Sequence, residues 1–311
     1  MREAGYPSAR LDLLYSTPES GSSMDINTSS GVALAIAVLL RCKGDGFLAH
    51  FGTKCSSWTR VNVGTSGRSA CSSIGVTMHN SVSEANKMCS RTILLILLAV
   101  SLNGTFLLEQ PAGSLMEFYP RFRWMLQQLV NMGGDEAVTK VSWWMRNYGG
   151  PTAKPHYLYS NSKHAAKLQN GKLQRPVDPT PSNTCEHYIN KNGKRCWVGT
   201  KKLKQTERKP QLVNLCVACL LRRAPFICSL TEPREYPPKF ALKLVSLFNE
   251  LVDEKAGVPS LPDPLPSISE MCDSATFADM WEEAGMGEVV AYLRGGKGLG
   301  LIAEHRSLFP E

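Results

Sequence analysis

Apolar and polar positions change rhythm along this chain, and the changes mark out elements. The apolar stretch Gly31 to Cys42 is long enough for a helix, with cap-forming residues at Asn27 to Ser30 just before it. Met24-Asp25-Ile26 is expected as a short strand ahead of that helix, and Phe47 to Phe51 as a buried strand after the Gly44-Asp45-Gly46 turn. The Gly/Ser-rich stretch Val63 to Ser73 predicts a loop. Ser81-x-x-Glu84 offers a capping box to a helix with Val82, Ala85, Met88 and Cys89 on one face and a wholly apolar end, Ile93 to Val100. Asn103-Gly104 should stop it. Thr105 to Leu108 then reads as a strand, Pro120 to Met132 as a helix, and Val138 to Met145 alternates as a strand does. Residues 24–160 thus run strand, helix, strand, helix, strand, helix, strand. That order predicts an α/β fold with a mostly parallel, helix-covered, Rossmann-like sheet.

The second half has a different pattern. Pro176-Val177-Asp178-Pro179-Thr180-Pro181 reads as a break. Tyr188 to Trp197 predicts a hairpin with Asn192-Gly193 as its tight turn. Leu212 to Leu221 is expected as a short apolar helix, and Lys239 to Lys255 as an amphipathic one with Phe240, Leu244, Leu247, Phe248 and Leu251 on its stripe. Residues 257–269 carry four prolines and predict a spacer. The expected organisation is a disordered 1–23, an α/β core over 24–175, a smaller basic hairpin and helical part over 176–256, and a Pro-rich spacer with an acidic, peripheral tail over 257–311.

Composition narrows the class. With 311 residues, 43% hydrophobic and 20% charged, the chain can bury a core. Ten cysteines are too dilute for a disulfide scaffold and point to a reducing, intracellular compartment, nuclear or cytoplasmic. The polar opening carries no signal-peptide pattern. The longest apolar run, Ile93 to Leu102, would span about 15 Å as a helix, half of the roughly 30 Å hydrocarbon core, so no membrane span is expected. The net charge of +8 is uneven. Residues 172–209 hold ten Lys/Arg against three Asp/Glu, whereas 249–311 hold twelve Asp/Glu against four Lys/Arg. The basic region 188–209, with Lys194, Arg195, Lys201, Lys202 and Lys204, could meet DNA or RNA; the plainer alternative is a solvated hairpin.

Candidate chemistry centres on Cys55, after the strand ending at Phe51, and Glu109, after the run ending at Leu108. A thiol and a carboxylate at two strand ends of one sheet can be neighbours at its ligand-binding edge. The plainer alternatives are a half-buried thiol and a carboxylate capping the next helix. Cys216-x-x-Cys219 has metal-ligand spacing, with Cys185, His187 and Cys196 before it, but its expected place inside a helix with no turn argues against a zinc knuckle, and no metal is expected.

Four segments together resemble the cytosine-5 DNA methyltransferase core. Met24-Asp25-Ile26-Asn27-Thr28-Ser29-Ser30-Gly31 is similar to its first strand and glycine turn, Cys55-Ser56-Ser57-Trp58-Thr59 to its nucleophile motif, Leu108-Glu109-Gln110-Pro111 to its Glu-Asn-Val motif, and Asn147 to His156 to its Tyr-Gly-x-Pro-Gln-x-Arg-x-Arg segment. A second resemblance, to a large group of uncharacterised protist proteins, includes Trp143-Trp144-Met145 and Gly199-Thr200-Lys201-Lys202-Leu203, extends to about residue 215, and carries no function. The first resemblance implies that S-adenosylmethionine binds at Asp25, Ser30 and Gly31. It implies that the Cys55 thiolate adds to C6 of a flipped cytosine, that Glu109 bonds the ring, and that Lys154 and His156 support the site. Gly31 is the turn's single glycine, Lys54 replaces a proline and Thr152 a glutamine, so the implied protein is a degenerate member. A non-enzymatic nucleic-acid-binding module and a structural or interaction domain derived from a mobile element are the alternatives.

Overall fold

The computed structural model describes residues 6, 8–12, 24–42, 46–150, 154–174, 187–189, 191–193, 195–197, 214–219, 237–253 and 274–305. Its centre is a six-stranded sheet. In chain order the strands are β1 (Ser8–Leu11), β2 (Phe47–Gly52), β3 (Thr105–Pro111), β4 (Thr139–Trp144), β5 (Pro155–Ser160) and β8 (Asn214–Cys219), arranged β1-β8-β2-β3-β5-β4. β6 (His187–Ile189) and β7 (Arg195–Trp197) form the separate hairpin expected from Asn192-Gly193, and Gly193 supplies the left-handed turn residue at φ 73°.

The sheet is mixed, not mostly parallel. β2 and β3 are its one parallel pair, while β1–β8, β8–β2, β3–β5 and β5–β4 are antiparallel. Direction tells more than pairing does. β3 and β4 both oppose β5, and β2 follows β3, so β2, β3 and β4 point one way. Their carboxyl ends lie on one rim, where β5 begins.

One face of the sheet carries α1 (Ser29–Arg41), α3 (Asn80–Ser101) and α4 (Pro120–Gly133), plus three C-terminal helices, α6 (Ala275–Glu283), α7 (Met286–Arg294) and α8 (Lys297–Glu304). Alternate residues of the strands divide accordingly: Phe47, Ala49, Phe51, Phe106 and Leu108 enter this core. Leu48, Leu107, Val141, Trp143 and Leu158 face the other way, into a smaller core closed by α5 (Pro238–Asp253) through Phe240, Leu247 and Phe248. Covering on both faces explains why every residue of β2 is buried.

Several expectations fail for physical reasons. Met24 to Ile26 form a turn rather than a strand, because Thr28 caps α1 by accepting from Gly31 N at 3.1 Å and pulls the segment into the helix entry. Val63–Ser66 is a short helix, α2, inside the expected loop. α3 is capped at His79 without a side-chain bond, so Ser81 and Glu84 lie inside it and make no capping box. Within the stretch Leu212 to Leu221, expected as a helix, Asn214–Cys219 is instead a strand, β8, inserted between β1 and β2. A short apolar run does not distinguish helix from strand by period, and here ladder bonds on both sides decide. Part of the N-terminus is ordered as β1. The acidic tail is not peripheral, since Met280, Ala284, Met286, Val289 and Leu301 are buried in the main core. The expected spacer 257–269 lies outside the described residues.

Candidate functional site

The rim formed by the ends of β2, β3 and β4 collects the candidate residues. Gly52 is the register partner of Glu109, so the chain leaving β2 emerges beside the end of β3. Gln110, buried on β3, secures that exit: its Nε2 donates to Thr53 Oγ1 at 2.6 Å, while its Oε1 accepts from Ser114 Oγ at 3.1 Å. Two residues past Thr53, half-buried Cys55 begins the 3-10 turn Ser56–Trp58, its carbonyl accepting from Trp58 N at 3.0 Å. Cys42, Cys55, Cys71 and Cys89 are all reduced. On the other side, Met145 N donates to Lys154 O at 3.0 Å, and Ala112 N to Pro155 O at 3.0 Å, which ties the ends of β3 and β4 to the start of β5. Cys55, Glu109, Lys154 and His156 therefore belong to one rim.

The carboxylate is placed differently from the expectation. Glu109 is the fifth of seven residues in β3, not a residue beyond the strand. It faces the smaller core and bonds His156 Nδ1, diagonally across the β3–β5 ladder, with both side chains 1% exposed. The Trp143 ring stacks on His156 at 4.7 Å and on Phe240 at 4.5 Å. Phe240 comes from α5, so a helix seals the pair from above. Burial pushes the neighbouring Tyr148 phenol up to about 12, and its hydroxyl donates to Leu168 O at 2.7 Å. Glu109 is thus a buried partner of histidine, and a base would have to displace the Trp143–Phe240 stack to reach it.

The Asp25–Gly31 turn is filled by its own chain. Asp25 O accepts from Thr28 N at 2.8 Å and Thr28 Oγ1 at 2.7 Å, Asp25 Oδ1 accepts from Asn27 N at 2.8 Å, and Ser30 Oγ lies 3.0 Å from Thr28 Oγ1. A Cβ on Gly31 would lie 2.0 Å from Asp25 O, so the glycine is needed for the turn itself. Arg91, buried on α3, fixes the turn by donating to Ile26 O at 2.7 Å, Thr28 O at 3.0 Å and, from the C-terminal helices, Ala284 O at 2.6 Å. Asp25, Ser30 and Gly31 come together as expected, but as helix entry.

Sequence reasoning missed the residue that shapes the segment after Cys55. Arg68 is fully buried, stacked 3.4 Å over the Trp58 ring, and donates to Ser73 O, Ile74 O, Ser57 Oγ, Val82 O and Asn86 Oδ1. Burial lowers its guanidinium to about 10, against the pull of Cys89, Tyr119 and Glu283, so it is charged at neutral pH. A single arginine amid glycines and serines was the available signal.

Four cations attend the same rim: Lys54 before Cys55, Arg60 just after it, Arg146 beyond β4 and Lys154 before β5. Arg60 reaches over the exit of β3, its Nε 3.7 Å from where a Gly113 side chain would start. Of the basic residues expected to meet nucleic acid, Arg195 lies on β7, while Lys194, Lys201, Lys202 and Lys204 lie outside the described residues. Among the described residues there is no group of three or more His, Cys, Asp or Glu that could hold a metal, and no helix long and apolar enough to cross a membrane. Compared with protein-family models, curated proteins and solved structures, the chain matches none.

Proposed function

We propose that this chain is a nucleic-acid-binding domain of degenerate, methyltransferase-like type, which keeps a thiol-bearing rim and has lost cytosine chemistry. The observation that carries the reading is the convergence on one rim of three co-directional strand ends with Cys55, Lys54, Arg60, Arg146 and Lys154. A polyanion is the natural partner of such a rim, since each neutralised phosphate releases counterions. Two features support the loss of catalysis. Glu109 is committed to His156 under the Trp143–Phe240 stack, away from any extruded base. In the Asp25–Gly31 turn, Asp25, Thr28 and Ser30 bond within the turn and Arg91 holds the Ile26 and Thr28 carbonyls, which leaves Asn27 Oδ1 as the turn's buried side-chain oxygen without a bond, a poor fit to S-adenosylmethionine.

Anisotropy of labelled DNA and RNA oligonucleotides over a salt series tests the binding half. Affinity should fall linearly in log–log form, with Lys54→Ala and Arg60→Ala each lowering the slope by about 1. No binding at low salt, or binding indifferent to salt, overturns it. A 5-fluorocytosine duplex with S-adenosylmethionine tests the other half: no covalent adduct is expected. An adduct lost in Cys55→Ala would show live chemistry and overturn the degenerate reading.

A further inference from the structure

A continuous line of contacts joins the C-terminal helices to the Cys55 segment. Glu283, the last residue of α6, accepts through Oε2 from Ser90 Oγ at 2.5 Å, from Tyr119 OH and from Arg121 Nη1 at 3.0 Å. Arg121 Nη1 also donates to Tyr119 OH at 2.8 Å, and Arg121 Nη2 to Asp279 O at 3.3 Å, so Tyr119 is gripped from both sides. The fully buried Tyr119 ring meets Trp58 edge-on at 5.1 Å. The other partner of Trp58 is the Arg68 guanidinium at 3.4 Å, and its backbone N–H closes the turn on Cys55 O. A second strut runs from Ser73 Oγ to Phe118 O at 2.7 Å, beside Tyr119. The Cys55 turn therefore rests on a tyrosine whose hydroxyl is held by a residue from the far end of the chain.

We propose that Glu283 is a positioning residue for the rim: it holds Tyr119 against Trp58, and docking of the C-terminal helices thereby sets the conformation and reactivity of Cys55. The inference is independent of nucleic-acid binding, because the thiol itself is the probe. Loss of the Glu283 contact lets Tyr119 swing, loosens the turn at Trp58 and opens half-buried Cys55 to solvent. The device is a control point, since anything that lifts α6 from α3 and α4 changes the rim.

The test is iodoacetamide labelling of the full chain, followed cysteine by cysteine by mass spectrometry over a pH series. Exposed Cys71 is the internal reference, and buried Cys42 and Cys89 report unfolding. Glu283→Ala should raise the Cys55-to-Cys71 rate ratio about threefold or more and shift the midpoint of the Cys55 pH profile, while Cys89 stays protected. Glu283→Gln, which still accepts from Ser90 and Tyr119, should restore most of the wild-type ratio. An unchanged ratio in Glu283→Ala with Cys89 protected overturns the proposal. If Glu283→Ala exposes Cys89, Tyr119→Phe decides: it keeps the ring and removes the bond, and an unchanged ratio there overturns the proposal equally.

Discussion

His156 and Glu109 meet diagonally across the β3–β5 ladder, both 1% exposed, and the pair is sealed by Trp143 stacked on the imidazole. A pair of this kind costs desolvation when formed and far more when half of it is removed. Glu109→Ala should destabilise by about 1–3 kcal/mol, because it removes the bond to His156 Nδ1 in an apolar core. The double replacement Glu109→Leu with His156→Leu should be closer to wild type than either single change, as two apolar groups need no partner. Urea unfolding midpoints measure both. A double variant as unstable as the sum of the singles would show no coupling between the two side chains and would overturn this account of the pair.

How far the sequence foretold this depends on the kind of signal. β2 and α4 were legible because their apolar runs have an unambiguous length and clear stops. The parallel pairing of β2 with β3 was legible too, since two buried runs of similar length in an α/β pattern end at the same edge, but the place of Glu109 within β3 was not. β8 was not: six residues of mixed apolar character suit a helix equally well, and its partners β1 and β2 are remote in sequence. β5 was hidden for another reason, because Pro155 to His156 read as the tail of a motif rather than the start of a strand. The acidic C-terminal segment looked solvated, yet one of its acids, Glu283, is the residue that docks it. Charge counts along a chain cannot tell a solvated carboxylate from one that finds three donors on distant helices.

Gly31 gives a test that separates two roles for one glycine. A Cβ there would fall 2.0 Å from Asp25 O and 2.4 Å from Asp25 C, both backbone atoms that cannot swing aside. Gly31→Ala should cost at least the overpacking penalty of about 1–3 kcal/mol, read as a lower urea midpoint. A glycine kept for close approach of a cofactor would give the opposite result: near-normal stability, with loss of S-adenosylmethionine binding by calorimetry.

Alkaline pH should unfold the protein through its buried phenols. Burial raises Tyr119, with Cys89 and Glu283 adding to the shift, and it raises Tyr159, with Glu117 adding. Tyr148 is pushed up to about 12 by burial alone. Each keeps its proton in the folded chain above pH 10, where the unfolded chain releases it. The folded state then binds more protons, so stability falls as pH rises through that range. Arg68, lowered to about 10, and Arg91, also lowered by burial, act in the opposite sense, but the three tyrosines and buried Cys89 outnumber these two. A phenolate titration of the nine tyrosines should show these three appearing only with loss of the native circular dichroism. All nine ionising smoothly in a native protein would contradict the burial.

Arg91 supplies the last prediction, because it joins three parts of the chain that are far apart in sequence. It is 1% exposed, and its donors reach Ile26 O and Thr28 O at the entry of α1 and Ala284 O between α6 and α7. The substitution Arg91→Met would fill similar volume but take the Arg91 donors from Ile26 O and Ala284 O, at about 1–3 kcal/mol each before relaxation, while Thr28 O keeps its bond from Val32 N. The cheapest relaxation is for the C-terminal helices to lift, since the α1 turn keeps its own bonds from Asp25 and Thr28. Limited proteolysis of Arg91→Met should then cut first within residues 275–304, leaving the fragment that carries α1 and α3 resistant for longer. Cuts appearing at the same rate throughout the chain would mean that Arg91 stabilises the whole core and not the docking of its C-terminal part.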